Sequence, residues 1–329
     1  MSQTGGRLLG TGVYGCTFDP APRCNTHKNI IRTIDGLPAV GKIALDDTRS
    51  ELAIGQRIMS LPSASDYFAL PNYSCKPVMP VDDPDAPKCN ILSNVNAMTH
   101  ATELIMPSAG ETLLEWSSDL KRLADNYLPI FKHLLEGMKK YQDAGFIHND
   151  IHQGNILIDK KGVARYIDFG LAYRPVDVRE IEDANLSRNF RPQYVWQAPE
   201  IHAWRMTLKG VRIADGVNQL RELNPEYMKL ERLFPAHKSA DKALTAFMLL
   251  PIVVKRDFGA VVRAYGKRFD AWRLGLCMWF LWYDLVKWPG LRAHPLWKFE
   301  KQIRHILGRL TNFDIQERWD AEKALTLFV

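Results

Sequence analysis

Apolar positions change period once along the chain. Over residues 8 to about 106 they come in short runs rich in β-branched and aromatic residues, at 13–18, 30–34 and 40–44, punctuated by Gly and Pro, which predicts a small sheet. One helix is expected inside this part, with Ser50 as N-cap and a body running from Glu51 through Ile58 until Pro62 stops it. Residues 71–90 carry five prolines and several aspartates and read as a loop insertion. Further on, Leu128, Ile130, Phe131, Leu134, Leu135 and Met138 recur at helical spacing, and the rest of the chain is predicted mostly α, apart from a short hairpin at 156–158 and 164–167. The most apolar stretch, 274–288, is short for a membrane span and is broken by Asp284 and Lys287, so it reads as a buried core helix. No internal repeat is present.

At 329 residues, 46% hydrophobic and 24% charged, the chain is long enough to bury a full core. Its net charge of +6 is spread along the sequence without forming a basic arm, so a solvated surface is expected and no nucleic-acid partner. The first seven residues lack an apolar segment, so neither a signal peptide nor a membrane is expected. Cys16, Cys24, Cys75, Cys89 and Cys277 are odd in number and irregularly spaced, which points to a reducing cytoplasm or nucleus. Cys24, His27, Cys75 and Cys89 are residue types that bind zinc, but only Cys24 and His27 are compactly spaced; packed or exposed side chains are the alternative.

Phosphoryl transfer needs a cradle for polyphosphate, a cation against it, metal ligands, and a carboxylate that orients the attacking hydroxyl. Gly10-Thr-Gly12-Val-Tyr-Gly15, followed by strand-like Thr17 and Phe18, could close over phosphates without side-chain obstruction, although a Gly-rich hairpin turn gives the same string. Lys42 ends an apolar strand, and Glu51 is the only glutamate between it and Glu103. Alone, the two would be ordinary surface charges. What changes that reading is His148-Asn-Asp150-Ile-His-Gln-Gly-Asn155, then an apolar run, then Asp168-Phe-Gly170.

These two motifs resemble the catalytic loop and magnesium motif of eukaryotic-type protein kinases. The resemblance implies an α+β, bilobal protein kinase fold with a small β-rich N-lobe over 1–106, a hinge at 107–111 and a helical C-lobe over 112–329. It implies an ATP- and Mg2+-dependent serine/threonine kinase acting on protein substrates, as a monomer. In its terms Asp150 is the catalytic base, Asn155 and Asp168 bind magnesium, and Lys42, oriented by Glu51, meets the α and β phosphates. Nucleotide-contacting positions would be Leu9, Gly10, Gly12, Gly15, Thr17 and Val40 in the N-lobe, Met106 as gatekeeper, the backbones of Pro107 and Ala109, and Leu157 beneath adenine. Outside the catalytic cluster, Ala198-Pro-Glu200, Asp270-Ala-Trp-Arg-Leu-Gly275 and Arg318 are similar to the family's scaffold elements. There Glu200 pairs with Arg318, and Asp270 holds the catalytic-loop backbone.

The departures carry implications of their own. Asn149 stands where an arginine usually reads an activation-segment phosphate, which implies activity without that phosphorylation. His152 replaces a lysine and is similar to loops of small-molecule kinases of the aminoglycoside or choline type, a rival reading. The short spacing from Lys42 to Glu51, with Ser50-Glu-Leu-Ala-Ile54, resembles the casein kinase and vaccinia-related kinase branch. Tyr14-Gly-Cys16, Pro20 and Cys24 resemble kinases of large cytoplasmic DNA viruses, which implies host cytoplasm or virion. Residues 203–262 are longer than the family needs and form an insertion, either extra core or a docking surface. A pseudokinase scaffold is the remaining rival, opposed by the presence of Lys42, Glu51, Asp150, Asn155 and Asp168.

Overall fold

The structure, a computed structural model, describes residues 6–12, 15–25, 31–34, 36–45, 48–78, 85–89, 100–179, 193–235 and 237–328. Strands β1 (Arg7–Thr11), β2 (Gly15–Asp19), β3 (Leu37–Ala44), β4 (Tyr73–Cys75) and β5 (Thr102–Pro107) form an antiparallel sheet in the order β1-β2-β3-β5-β4. Alternation along β3 and β5 gives the sheet two faces. Val40, Leu104 and Met106 point one way and meet Leu52. Ala39 and Ile105 point the other way, against Ala21, Cys24, Ile34 and Cys75.

Leu52 belongs to α1 (Arg49–Met59), which buries Glu51, Gly55 and Ile58. The helix starts two residues earlier than expected: Thr48 is the N-cap residue, without a side-chain capping bond, and Ser50 lies inside the first turn. A carboxylate in that first turn, Glu51, supplies the negative charge that a helix N-terminus favours. The Pro-rich stretch is not a plain loop, since β4, a ribbon pairing Arg23–Cys24 with Pro77–Val78, and a 3-10 turn at Ala86–Lys88 are built from it. Their register rests on backbone pairing between segments far apart in sequence, which periodicity does not reveal.

Four of the five cysteines are paired, Cys16 with Cys89 and Cys24 with Cys75. Their odd count and irregular spacing therefore did not exclude disulfides, because the odd thiol, Cys277, is simply buried in a helix. The pairing separates Cys89 from Cys24 and Cys75, so the four zinc-type residues do not share one site; His27 lies outside the described residues.

Compact clustering divides the chain into two units, the first reaching Glu111 and taking in Leu157–Lys161 and Arg165–Gly170. The second is helical. In α2 (Leu120–Asp143) the predicted stripe is buried at Ile130, Phe131, Leu134, Leu135 and Met138, while Leu128 is half-buried and Pro129 is accommodated on the exposed side. Helices α3 (Pro199–Leu208), α4 (Ile213–Leu223), α5 (Pro225–Leu233) and α6 (Ala240–Met248) precede α7 (Phe258–Lys287), which is followed by α8 (Glu300–Leu310) and α9 (Ala321–Leu325). Within residues 203–262, Val217, Leu220, Tyr227, Leu230, Leu244 and Phe247 are buried. The apolar stretch from residue 274 is the heavily buried part of the 30-residue α7. Among the described residues no helix is long and apolar enough to cross a membrane.

Candidate active site

The first unit brings Lys42, Glu51 and Asp168 together. Lys42 lies on β3, opposite Thr17 and Leu104, and its ammonium donates to Glu51 Oε1 and Oε2 at 3.0 and 3.1 Å and to Asp168 Oδ1 at 2.9 Å. Burial opposes the charge on Lys42, but Asp168 and then Glu51 outweigh it and hold the ammonium protonated far above neutrality. Burial pushes the Glu51 carboxyl up, Lys42 pulls it down, and Asp168 adds a smaller upward push. With its cation in contact, Glu51 is best described as one half of a buried ion pair.

Asp168 stands in a left-handed conformation at φ 58°, which Asp tolerates better than most residues. The Gly170 N–H donates to its Oδ1 at 3.3 Å, and Phe169 is wholly buried edge-on against Phe68, 6.1 Å between ring centres. A Cβ on Gly170 would come within 3.2 Å of both the Asp168 and Glu51 carboxylates, so this backbone approach favours glycine.

The remaining predicted positions of this unit lie along its strands and in the segments beside them. Gly10 and Gly12 are exposed, the Gly12 N–H donates to the Gly15 carbonyl at 2.7 Å, and Val13 and Tyr14 lie outside the described residues. Gly15 is buried where a Cβ would strike the Ile43 carbonyl at 2.6 Å. Leu9 is exposed, Thr17 is half-buried, and Val40 pairs with Met106. Pro107 ends β5 opposite Ala39, Ala109 is buried, and Leu157 is half-buried.

The second unit builds the catalytic-loop motif. Asp270, fully buried on α7, accepts the backbone N–H groups of His148 at 2.7 Å and Asn149 at 3.0 Å, and also the Tyr141 hydroxyl at 2.9 Å. Asn155 Nδ2 donates to the Asp150 carbonyl at 2.9 Å and to its Oδ2 at 3.1 Å. His152 is turned so that its Nδ1 accepts the Gly154 N–H at 3.0 Å while its Nε2 lies 3.8 Å from Asp150 Oδ2. Glu200 and Arg318 form a two-pronged pair at 2.5 and 3.2 Å with no side-chain exposure.

Two residues that sequence reasoning did not single out complete this unit. The Tyr194 hydroxyl donates to Asp150 Oδ1 at 2.8 Å, and burial, then Asp150, raises its pKa and keeps that proton in place. Arg273 is fully buried and donates to Asn149 Oδ1 at 2.6 Å, to Gln197 Oε1 at 2.7 Å and to Asp270 Oδ1 at 3.2 Å. The signals were short: Tyr194 precedes Ala198-Pro-Glu200 by four residues, and Arg273 sits three after Asp270 on one helix.

The family model described as "Protein kinase domain" matches residues 91–210. The fold is that of a protein kinase. Mitogen-activated protein kinase kinase kinase 1 of Arabidopsis thaliana is 33% identical over 81 residues, covering 24% of this chain and 12% of that protein. Serine/threonine-protein kinase pakH of Dictyostelium discoideum is 28% identical over 151 residues, 42% of this chain and 26% of its own. Serine/threonine-protein kinase cst-1 of Caenorhabditis elegans is 26% identical over 106 residues, 29% of this chain and 20% of its own. The matched part is thus about a quarter or less of each relative's length. The family-model match includes the Asp150 loop, Asp168-Phe-Gly170 and Glu200.

Proposed function

We propose that this chain is an ATP- and Mg2+-dependent protein kinase that transfers the γ-phosphate to serine or threonine hydroxyls of protein substrates. The observation that carries the reading is the Lys42 ammonium held between Glu51 and Asp168, a charge fixed in place before any polyphosphate arrives. In this reading Lys42 binds the α and β phosphates and Glu51 keeps it oriented. Asp168 and Asn155 supply hard oxygen donors, a carboxylate and an amide whose nitrogen is already committed to Asp150, and this donor set fits magnesium. The metal would neutralise charge developing on the transferred phosphoryl group. Asp150 accepts the hydroxyl proton late and chiefly aligns the nucleophile, with Asn155 and Tyr194 fixing its carboxylate.

A small-molecule kinase remains the second reading, favoured by His152 near Asp150 at 3.8 Å. Against it stand the Glu200–Arg318 pair and the Asp270 anchor, which resemble the protein-kinase scaffold. Incubation with γ-labelled ATP and Mg2+ in the presence of generic proteins, an aminoglycoside or choline separates the two. Label on protein serine or threonine, lost in Asp168→Asn, is the expected result; label confined to a small molecule would overturn it. The virus-kinase and casein-kinase affinities rest on the Tyr14–Cys16 loop and the short Lys42–Glu51 spacing, and a protein substrate from the same source is the natural acceptor to try first.

A further inference from the structure

Glu103 is out of place. It sits on β5 opposite Cys75, fully buried, on the sheet face that carries Ala39, Ile105 and the Cys24–Cys75 pair rather than Lys42. Its Oε1 has no hydrogen-bond partner among the described residues, and Oε2 has only Cys75 Sγ at 3.6 Å. A disulfide sulfur has no proton to donate, so in the oxidised state the carboxyl itself must stay protonated and give its hydrogen to a poor acceptor. Burial accordingly pushes its pKa up to about 8. The strand opposite has made room for this group: a Cβ on Gly41 would lie 2.0 Å from Glu103 Oε1. A buried acid given space but no partner calls for a missing one.

The three ligand atoms of Cys24, Cys75 and Glu103 lie within 4.8 Å of one another and all three residues are buried. Tetrahedral zinc with Zn–S near 2.3 Å and Zn–O near 2.0 Å requires a sulfur–oxygen edge of about 3.5 Å and a sulfur–sulfur edge of about 3.8 Å. The first edge is already present at 3.6 Å. The second needs the two sulfurs to part, which reduction of the disulfide allows. From these distances we infer that Cys24, Cys75 and Glu103 form a redox-gated zinc site, closed while the disulfide is intact and opened by a dithiol reductant.

The chemistry balances in two steps. A dithiol passes two electrons and two protons to the Cys24–Cys75 bond and becomes a disulfide itself, leaving two thiols. One Zn2+ then displaces three protons, one from each thiol and one from the Glu103 carboxyl, and takes two thiolates and a carboxylate as ligands, with an external fourth ligand. Two soft sulfur donors and one oxygen suit zinc rather than magnesium or calcium. The site is independent of the kinase reading, since none of its residues belongs to the phosphate-binding or catalytic sets.

The test is a metal titration of the full chain after phosphine reduction and removal of the phosphine under anaerobic conditions. Co2+ is added first as a spectroscopic probe and is then displaced by Zn2+. One equivalent of Co2+ with thiolate-to-cobalt charge-transfer absorption is expected for the reduced protein, and none for the oxidised one. Cys24→Ser with Cys75→Ser should abolish the signal, and Cys16→Ser with Cys89→Ser should retain it. Glu103→Gln should weaken binding at least about tenfold, the loss that even outer-shell partners cause. A reduced wild-type protein without the absorption overturns the proposal, whatever the variants do. So does a signal that survives loss of Cys24 and Cys75, or a Glu103→Gln protein that binds as tightly as wild type. Because metal stoichiometry is the readout, failure here leaves phosphoryl transfer untouched.

Discussion

At the scale of single residues, the candidate chemistry rests on charges whose partners are already in place. Replacing Lys42 by Met leaves Glu51 buried without its cation and removes the ammonium from the phosphates; kcat/KM should fall by on the order of 3 kcal/mol or more, at least ~100-fold. Asp150→Asn should lose turnover while nucleotide binding, followed by fluorescence titration, stays near wild type; full turnover in that variant would remove Asp150 from its proposed role. These residues could be named from the sequence because the motifs His148 to Asn155 and Asp168-Phe-Gly170 resemble those of protein kinases. Tyr194 and Arg273 could not, since a tyrosine and a helical arginine acquire meaning only from the oxygen each one reaches. Glu103 makes a pH-dependent prediction of the opposite kind. Its folded pKa of about 8 exceeds the ordinary carboxylate value, so the oxidised protein loses stability as pH rises from about 4.5 towards 8. Glu103→Gln should flatten that slope, and denaturant midpoints at pH 5 and pH 8 would show it; an unchanged slope would mean the carboxyl ionises freely in the folded state.

At the scale of elements, the scaffold is fixed by buried polar contacts that pin one helix to another segment. Glu200 opens α3, and its carboxylate meets Arg318, whose Nε also donates to the Asn312 carbonyl at 2.8 Å and whose guanidinium lies 5.0 Å over the Trp272 ring. Burial pushes the Glu200 carboxyl up and Arg318 pulls it part of the way down, so the pair stands only as long as both halves are present. Glu200→Ala should therefore destabilise the second unit by roughly 3–5 kcal/mol, the loss expected when a buried pair is broken on one side; a urea midpoint close to wild type would contradict this. His202, one turn into the same helix, is buried with its Nε2 3.0 Å from the Tyr194 carbonyl, and burial lowers its pKa to about 4. Its contribution is complete above pH 6.5 and is lost as pH falls towards 4, by about 3 kcal/mol at most. Helix positions followed from apolar spacing, as in α2 and the buried part of α7. Element ends did not: Thr48 and Ser50 differ little as N-terminal residues, and the strand pairing of Arg23–Cys24 with Pro77–Val78 joins segments that no local pattern connects.

At the scale of the whole molecule, cross-linking is what the sequence concealed. The two disulfides are nested, the Cys24–Cys75 loop of 51 residues lying inside the Cys16–Cys89 loop of 73. In the chain-entropy account a loop of such length restricts the unfolded chain by roughly 4 kcal/mol, and the inner one, closing inside the outer, adds less than an independent bridge would. All four half-cystines lie in the first unit, and Cys16 and Cys89 pack with Phe18, Ile43 and Ala101. Reduction in the absence of metal should therefore speed amide exchange in β2, β3 and β5 while leaving α2 and α7 protected, because the latter are held by apolar burial and by buried polar contacts such as Tyr141 with Asp270, with no bridge among them. Hydrogen exchange followed by mass spectrometry, with and without a reductant, gives the comparison. Equal protection in both states would mean that the sheet needs no covalent support. Uniform loosening of α2 and α7 would mean that the stability of the helical unit depends on the bridges as well. If zinc added after reduction restores protection at β4 and β5 but not at β1, the inner pair, rather than the outer one, is the site at which redox state and metal binding meet.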